Sequence, residues 1–194
     1  MRLFFAVALT DSIREKLRAL QTSLKEQAPN APVGWTAPDN IHLTLRFLGE
    51  TDEKLLPELT EAARAIAANT PRFELALEHV GTFGGRAAPR VVWLGVREDQ
   101  GFGRLRAIAE GLEKAAQKLG FEPEERPFAA HATLGRVRDP RAKPKLVPLA
   151  AAIEKSADFS AGTLSVERFV LYESRMQGPR PPEYVEAGSF ELQG

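Results

Sequence analysis

Cysteine is absent from all 194 residues, which excludes disulfides, thiolate nucleophiles and cysteine-based zinc sites together. It leaves the redox compartment unreadable, though compatible with cytoplasm. An excess of charge is absent too: Lys+Arg and Asp+Glu are both 26, so no strong overall field holds a long polyanion by counterion release. Any nucleic-acid partner must be gripped locally. The opening apolar run, Met1 to Leu9, stops at Thr10-Asp11, too short for a membrane span and without the cleavage site of a signal peptide. It reads as a buried strand. No Gly-x-Gly-x-x-Gly follows a strand, and Gly81-Thr82-Phe83-Gly84-Gly85 is continued by neither Lys-Ser/Thr nor a helix, so that segment reads as a turn. No low-complexity tract or linker divides the chain. Residues 1–194 are expected to form a single domain, large enough to bury a real core.

Periodicity supplies the elements. Ser12-x-x-Glu15 resembles a capping box, and Ile13, Leu17, Leu20 and Leu24 recur at helical spacing up to Pro29. Thr51-Asp52-Glu53 suits a second helix start, with the stripe Leu55, Leu59, Ala62, Ile66 and with Pro57 delaying the regular helix. Strands are predicted over Phe73 to Val80 and Arg90 to Val96. A third helix carries Leu105, Ile108, Leu112, Ala115 and Leu119, and Gly120 stands where a C′ glycine belongs. A short helix follows over Leu146 to Lys155, then a strand over Val166 to Tyr172. The Pro-rich Gly178 to Pro182 stretch interrupts before a last strand, Tyr184 to Phe190. Strands outnumber helices and come in neighbouring runs, which favours an α+β layer fold over a doubly wound parallel sheet.

The informative feature is a repeat. Ile41-His42-Leu43-Thr44-Leu45 and Ala130-His131-Ala132-Thr133-Leu134 share His-x-Thr-Leu, 89 residues apart (131 − 42), nearly half the chain. With three His in the sequence, two in this context by chance is on the order of one in ten thousand. Pro38 and Pro127 precede the motifs and Arg46 and Arg136 follow them, so internal duplication is the natural inference. Strand alternation puts His42, Thr44 and Arg46 on one face and Ile41, Leu43, Leu45 and Phe47 on the other; His131 and Thr133 likewise stand opposite Ala132 and Leu134. Two such strands facing each other present two imidazoles and two hydroxyls to a cleft. Imidazoles in opposite protonation states push and pull on a phosphoryl centre without metal, while threonine hydroxyls hold its oxygens. A zinc site is poorly supported: no Cys, no His-x-x-x-His, no acid beside either motif. His79 lacks the Thr and reads as structural or exposed.

These segments resemble the two-histidine (2H) phosphoesterases, specifically the RNA 2′,3′-cyclic phosphodiesterases, historically labelled 2′-5′ RNA ligases. The resemblance spans nearly the whole chain. It includes Arg2-Leu3-Phe4-Phe5-Ala6, the extended Ile41 to Gly49 segment, Pro89 to Gly95, and Arg126-Pro127-Phe128 running on to Arg136. It implies two pseudo-symmetric lobes, each an antiparallel β-sheet backed by helices, around a central cleft. It implies His42 as proton donor to the leaving ribose oxygen and His131 as proton acceptor that activates water. Thr44, Thr133 and Arg136 would bind phosphate, and the product would be a 2′-phosphomonoester. Strict alternation points Arg136 away from His131 unless Gly135 permits a bulge. No cofactor is expected. The partners are RNA ends or nucleotides bearing a 2′,3′-cyclic phosphate, with no membrane, and the chain is expected to be a cytoplasmic monomer.

Other candidates carry less. Phe47 has the parity of Leu43 and Leu45 and is expected in the core. Arg46 shares the histidine face and either meets phosphate or is solvated at the strand end. The basic run Arg136, Arg138, Arg141, Lys143, Lys145 either steers an RNA tail or is a solvated loop. Trp35 and Trp93 read as packing residues. Two rivals remain: the same site joining RNA through a 2′-5′ linkage or opening another cyclic nucleotide, and a non-catalytic RNA- or nucleotide-binding module.

Overall fold

The computed structural model describes residues 1–85, 89–176, 178 and 181–194. Chain order is β1 (Arg2–Ala8), α1 (Asp11–Gln27), β2 (Val33–Trp35), β3 (His42–Glu50), α2 (Leu56–Ala68), β4 (Phe73–Phe83) and β5 (Val91–Val96). Then follow α3 (Gln100–Lys118), β6 (His131–Val137), α4 (Lys143–Lys155), β7 (Ser160–Val166), β8 (Arg168–Arg175) and β9 (Glu183–Glu191). One sheet runs β7-β4-β5-β6-β3-β1-β8-β9, with β2 added on β6, and every strand pair in it is antiparallel. It divides into two four-strand halves that meet at the two motif strands. The ladder there is the single pair Leu43–Ala132, so the α+β bilobal expectation holds with the two sheets joined at a narrow seam.

The helices cross between halves. Although α1 follows β1, it packs against α4 and β7 beneath the β6 half; α3 packs on β3 and against α2, which reaches β9. Apolar stripes drive this placement: Ile13, Leu17, Leu20 and Leu24 are buried on α1, and Leu105, Ile108, Leu112 and Ala116 on α3. Phe5, Phe169 and Phe190 pack ring against ring beneath β1, β8 and β9, with centroids 5.2 to 6.2 Å apart. None of the described helices is long and apolar enough to cross a membrane.

Several boundaries differ from the sequence reading. Thr10, not Ser12, caps α1, its hydroxyl accepting from the Ile13 amide. Pro57 does sit in the first turn of a helix delayed by a short 3-10 turn over Glu53–Leu55, but the buried stripe is Leu59, Ala63 and Ala67 rather than Ala62 and Ile66. The expected strand at Val166 is two strands, β7 ending at Val166 and β8 starting at Arg168. A small-residue segment, Ser160-Ala161-Gly162-Thr163, carries too little apolar alternation to announce β7. Gly120 ends α3 with φ 88°, as a C′ glycine should. Thr82 and Phe83 still belong to β4, and the turn begins only at Gly84 and Gly85, both with positive φ. Within the Gly178 to Pro182 stretch, Pro179 and Arg180 lie outside the described residues.

Candidate active site

The two motif strands share one deformation. In β3, Ala6 pairs with Thr44 but Phe5 pairs with Arg46, leaving Leu45 as an extra residue. In β6, Trp93 pairs with Thr133 and Val92 with Gly135, leaving Leu134 extra. A bulge at the same position of each repeat reverses the side-chain parity beyond it. His42 and Thr44 keep the cleft face; after the bulge Phe47, not Arg46, returns to it. His131 and Thr133 do the same, and Arg136 joins them. The bulge that brings Arg136 into the cleft is centred on Leu134 with Gly135 next to it.

This corrects two expectations. Phe47 is not core: it is 42% exposed and lines the cleft, with the Arg2 guanidinium 5.2 Å from its ring centroid. Arg46 does not line the cavity of His42 and is not solvated: it borders the groove of His131 but is 7% exposed and engaged by Glu113 and Glu124. The positions 89 residues on are Gly135 and Arg136. Gly135 is required there because β2 crosses so closely that a Cβ would meet Val33 Cγ1 at 2.8 Å and Trp35 Cε3 at 3.0 Å. One lobe thus offers the cleft an arginine where the other offers an aromatic ring.

Across the seam the Leu43–Ala132 register sets His42 opposite Thr133 and Thr44 opposite His131. Diagonal neighbours in an antiparallel pair stand about 7–8 Å apart, a span that two imidazoles can bridge onto one phosphorus. His42, Thr44, Thr133 and Arg136 line a cavity of about 300 Å³ with Arg2, Phe4, Asn40 and Tyr184, and its described lining includes no carboxylate. His131 opens instead into an adjoining groove of about 1000 Å³ between α3 and the segment before β6. Thr44 and Phe47 line both spaces, so the histidines approach the shared wall from two sides.

Each imidazole is oriented in the same way. His42 Nδ1 lies 2.8 Å from the Asn40 carbonyl and His131 Nδ1 lies 2.7 Å from the Ala129 carbonyl, in both cases two residues upstream. A carbonyl oxygen only accepts, so Nδ1 carries the proton in both rings and Nε2 is left for chemistry. Phe4 stacks on His42 at 4.8 Å and Tyr184 meets it edge-on at 5.3 Å. Phe83 meets His131 edge-on at 4.8 Å. Burial pushes His42 down to about 4, opposed by the Asn40 bond and helped by nearby His131. Burial also lowers His131, opposed by the Ala129 bond and helped by Arg136. Burial raises the Tyr184 phenol, while Arg136 and Arg2 pull it the other way, which places both guanidinium groups near that hydroxyl.

Of the five residues singled out from sequence, His42, Thr44, Thr133 and Arg136 line one cavity and His131 lies in the groove beside it, with Thr44 on both. Sequence reasoning missed Arg2, Phe4, Phe47 and Tyr184. For Phe47 the signal was its equivalence to Arg136 in the repeat. Among the described residues no three His, Asp or Glu side chains converge as metal ligands would. His79, at φ 68° and exposed, packs 6.1 Å from Trp93 and takes no part in the cleft. Of the basic run, only Arg136 lines the cavity of His42.

Comparison with known proteins agrees with this geometry. Residues 7–93 and 96–182 each match the family described as LigT like Phosphoesterase, one repeat per motif. The chain is 36% identical over 191 residues to an Archaeoglobus fulgidus protein named RNA 2′,3′-cyclic phosphodiesterase, covering 98% of this chain and all of that one. A Thermus thermophilus protein of the same name is 33% identical over 200 residues, covering 100% and 91%. Among solved structures, that of E. coli LigT complexed with 3′-AMP superposes with a TM-score of 0.78 at 30% identity, covering 100% of this chain and 98% of the other. The two matched halves, each contributing one His-x-Thr strand to a common cleft, make this chain a member of the LigT-like 2H phosphoesterase family.

Proposed function

We propose that the protein hydrolyses the 2′,3′-cyclic phosphate of RNA ends or nucleotides to a 2′-phosphomonoester by metal-independent acid/base catalysis, within one bilobal domain. His131 Nε2 takes a proton from water as the water oxygen bonds to phosphorus; the bond from phosphorus to the 3′ oxygen breaks, and His42 Nε2 gives that oxygen its proton. Thr44, Thr133 and Arg136 hold the non-bridging oxygens as charge builds. The observation that carries this reading is the paired Nδ1–carbonyl bond, which leaves Nε2 free in both rings, at two adjoining spaces that share Thr44 and Phe47. Burial that lowers His42 makes its imidazolium the stronger acid, and the phosphate's negative charge raises the protonated fraction when substrate arrives. Relatives named for this activity support the choice of a cyclic phosphate, and the family resemblance supplies the 2′ regiochemistry. A cytoplasmic location, with which the cysteine-free sequence is compatible, and a monomeric state complete the proposal.

The test is incubation of chelator-treated protein with a 2′,3′-cyclic oligonucleotide, with and without a 5′-hydroxyl partner strand, comparing wild type with His42→Ala and His131→Ala. The reading requires a 2′-phosphate product from wild type alone. Joined strands would shift it to 2′-5′ ligation; turnover by either variant would refute the roles given to the histidines; binding without turnover would leave an RNA-binding module.

A further inference from the structure

Two buried polar side chains outside the cleft occupy related places. Gln21 on α1 is 2% exposed, and its Nε2 donates to the carbonyls of Thr36 and Leu134, both at 2.8 Å. Thr36 lies in the segment that leads through Asn40 to His42; Leu134 is the bulge residue of β6, in the opposite half of the sheet. Arg46 mirrors this. Its Nη2 donates to the Glu122 carbonyl at 2.6 Å and its Nη1 to the Phe47 carbonyl at 2.7 Å. Nη1 also lies 3.3 Å from Glu124 Oε2, and Nε faces Glu113 on α3. Glu113 in turn accepts from the Glu124 amide at 3.0 Å. Residues 122–124 open the segment that leads through Ala129 to His131, whereas Phe47 lies just past the bulge of β3.

Each brace therefore pins the segment leading to one histidine onto the bulge of the other histidine's strand. The carbonyls that orient the imidazoles, Asn40 and Ala129, belong to those pinned segments. We propose that Gln21 and Arg46 are crossed positioning residues: Gln21 fixes His42 relative to β6, and Arg46 fixes His131 relative to β3, so that together they set the spacing of the two imidazoles across the cleft. Between β3 and β6 themselves the ladder is the single pair Leu43–Ala132, so the register of the two halves rests on β2 paired with β6, on the crossing helices and on these two side chains. Gln21 lines neither space, and Arg46, which borders the groove of His131, is 7% exposed with its guanidinium taken up by Glu113, Glu124 and the Phe47 and Glu122 carbonyls, so both act through the histidines. The proposal rests on the two-histidine reading of the site.

The experiment uses the full chain with Gln21→Leu, close to isosteric, and Arg46→Lys, which keeps the charge but loses the fork. Imidazole titrations are followed by NMR in the absence of substrate, alongside kcat and KM for a 2′,3′-cyclic nucleotide. The brace account expects Arg46→Lys to move the His131 titration more than that of His42, and Gln21→Leu to do the reverse. It also expects kcat to fall about tenfold to a hundredfold, as a misplacement near 1 Å does, with KM changed much less. Titrations that stay put, or that move equally in both variants, overturn it. An unchanged kcat beside active wild type does so too. If wild type hydrolyses no cyclic phosphate, the functional reading fails while the crosswise titration still decides the braces.

Discussion

Replacing His42 by Gln should remove a specific acid sensitivity of the fold. In the folded chain burial holds the His42 imidazole neutral, with its pKa lowered from 6.5 to about 4. In the unfolded chain it protonates near the ordinary value. The unfolded state thus binds more protons between these limits, so stability is fully present above pH 6.5 and is lost as pH falls toward 4. Taking 1.36 kcal/mol per unit, the group accounts for about 2.5 kcal/mol of destabilisation on going from pH 7.5 to pH 4.5. For a chain of this size that is about 5–10 °C in Tm. Glutamine can still donate to the Asn40 carbonyl but does not titrate. Urea unfolding of wild type and His42→Gln at both pH values isolates the effect, since the carboxylates titrate alike in the two proteins. Parallel stability losses would refute the claim that the cleft holds this ring neutral.

Other outcomes follow from the site and its supports. Phe47→Ala should raise KM for a nucleotide about tenfold with little change in kcat, because a base stacked on an aromatic ring is worth about 1–3 kcal/mol; steady-state kinetics reads the split. Arg136→Met should weaken binding of a 2′-nucleotide more than Arg136→Lys, measured by calorimetry, since only the guanidinium offers a planar fork. Leu43→Ala, at the fully buried seam, should cost about 2–5 kcal/mol of unfolding free energy. Gly101→Ala should destabilise α3, because an added Cβ would run into the Glu74 carbonyl, and a lowered Tm checks it.

The sequence carried the chemistry further than the shape. His-x-Thr-Leu stated twice, with alternating polarity, was enough to place two imidazoles and two hydroxyls on the inner faces of paired strands. Leu17, Leu105 and their stripes were enough to place two helices. What alternation could not reveal was the bulge at Leu45 and Leu134, because an extra residue in one strand is defined by its partner strand, and the partner is distant in sequence. From that one omission came the misplacement of Phe47 and Arg46 and the hesitation over Arg136. The crossing of α1 and α3 beneath the opposite halves was equally hidden, since a hydrophobic stripe says that a helix is covered but not by which strands. Tyr184 and Arg2 come to His42 only through the β9-β8-β1-β3 order of the sheet.

The central claim is that both imidazoles address one phosphorus through Nε2. It is tested most directly by 15N NMR of histidine-labelled protein titrated with a 2′-nucleotide. The account predicts that the Nε2 resonances of His42 and His131 shift together at a single stoichiometric endpoint, while their Nδ1 resonances stay nearly fixed on the carbonyls. A ligand that moves only one Nε2, or that shifts Nδ1 instead, would contradict it.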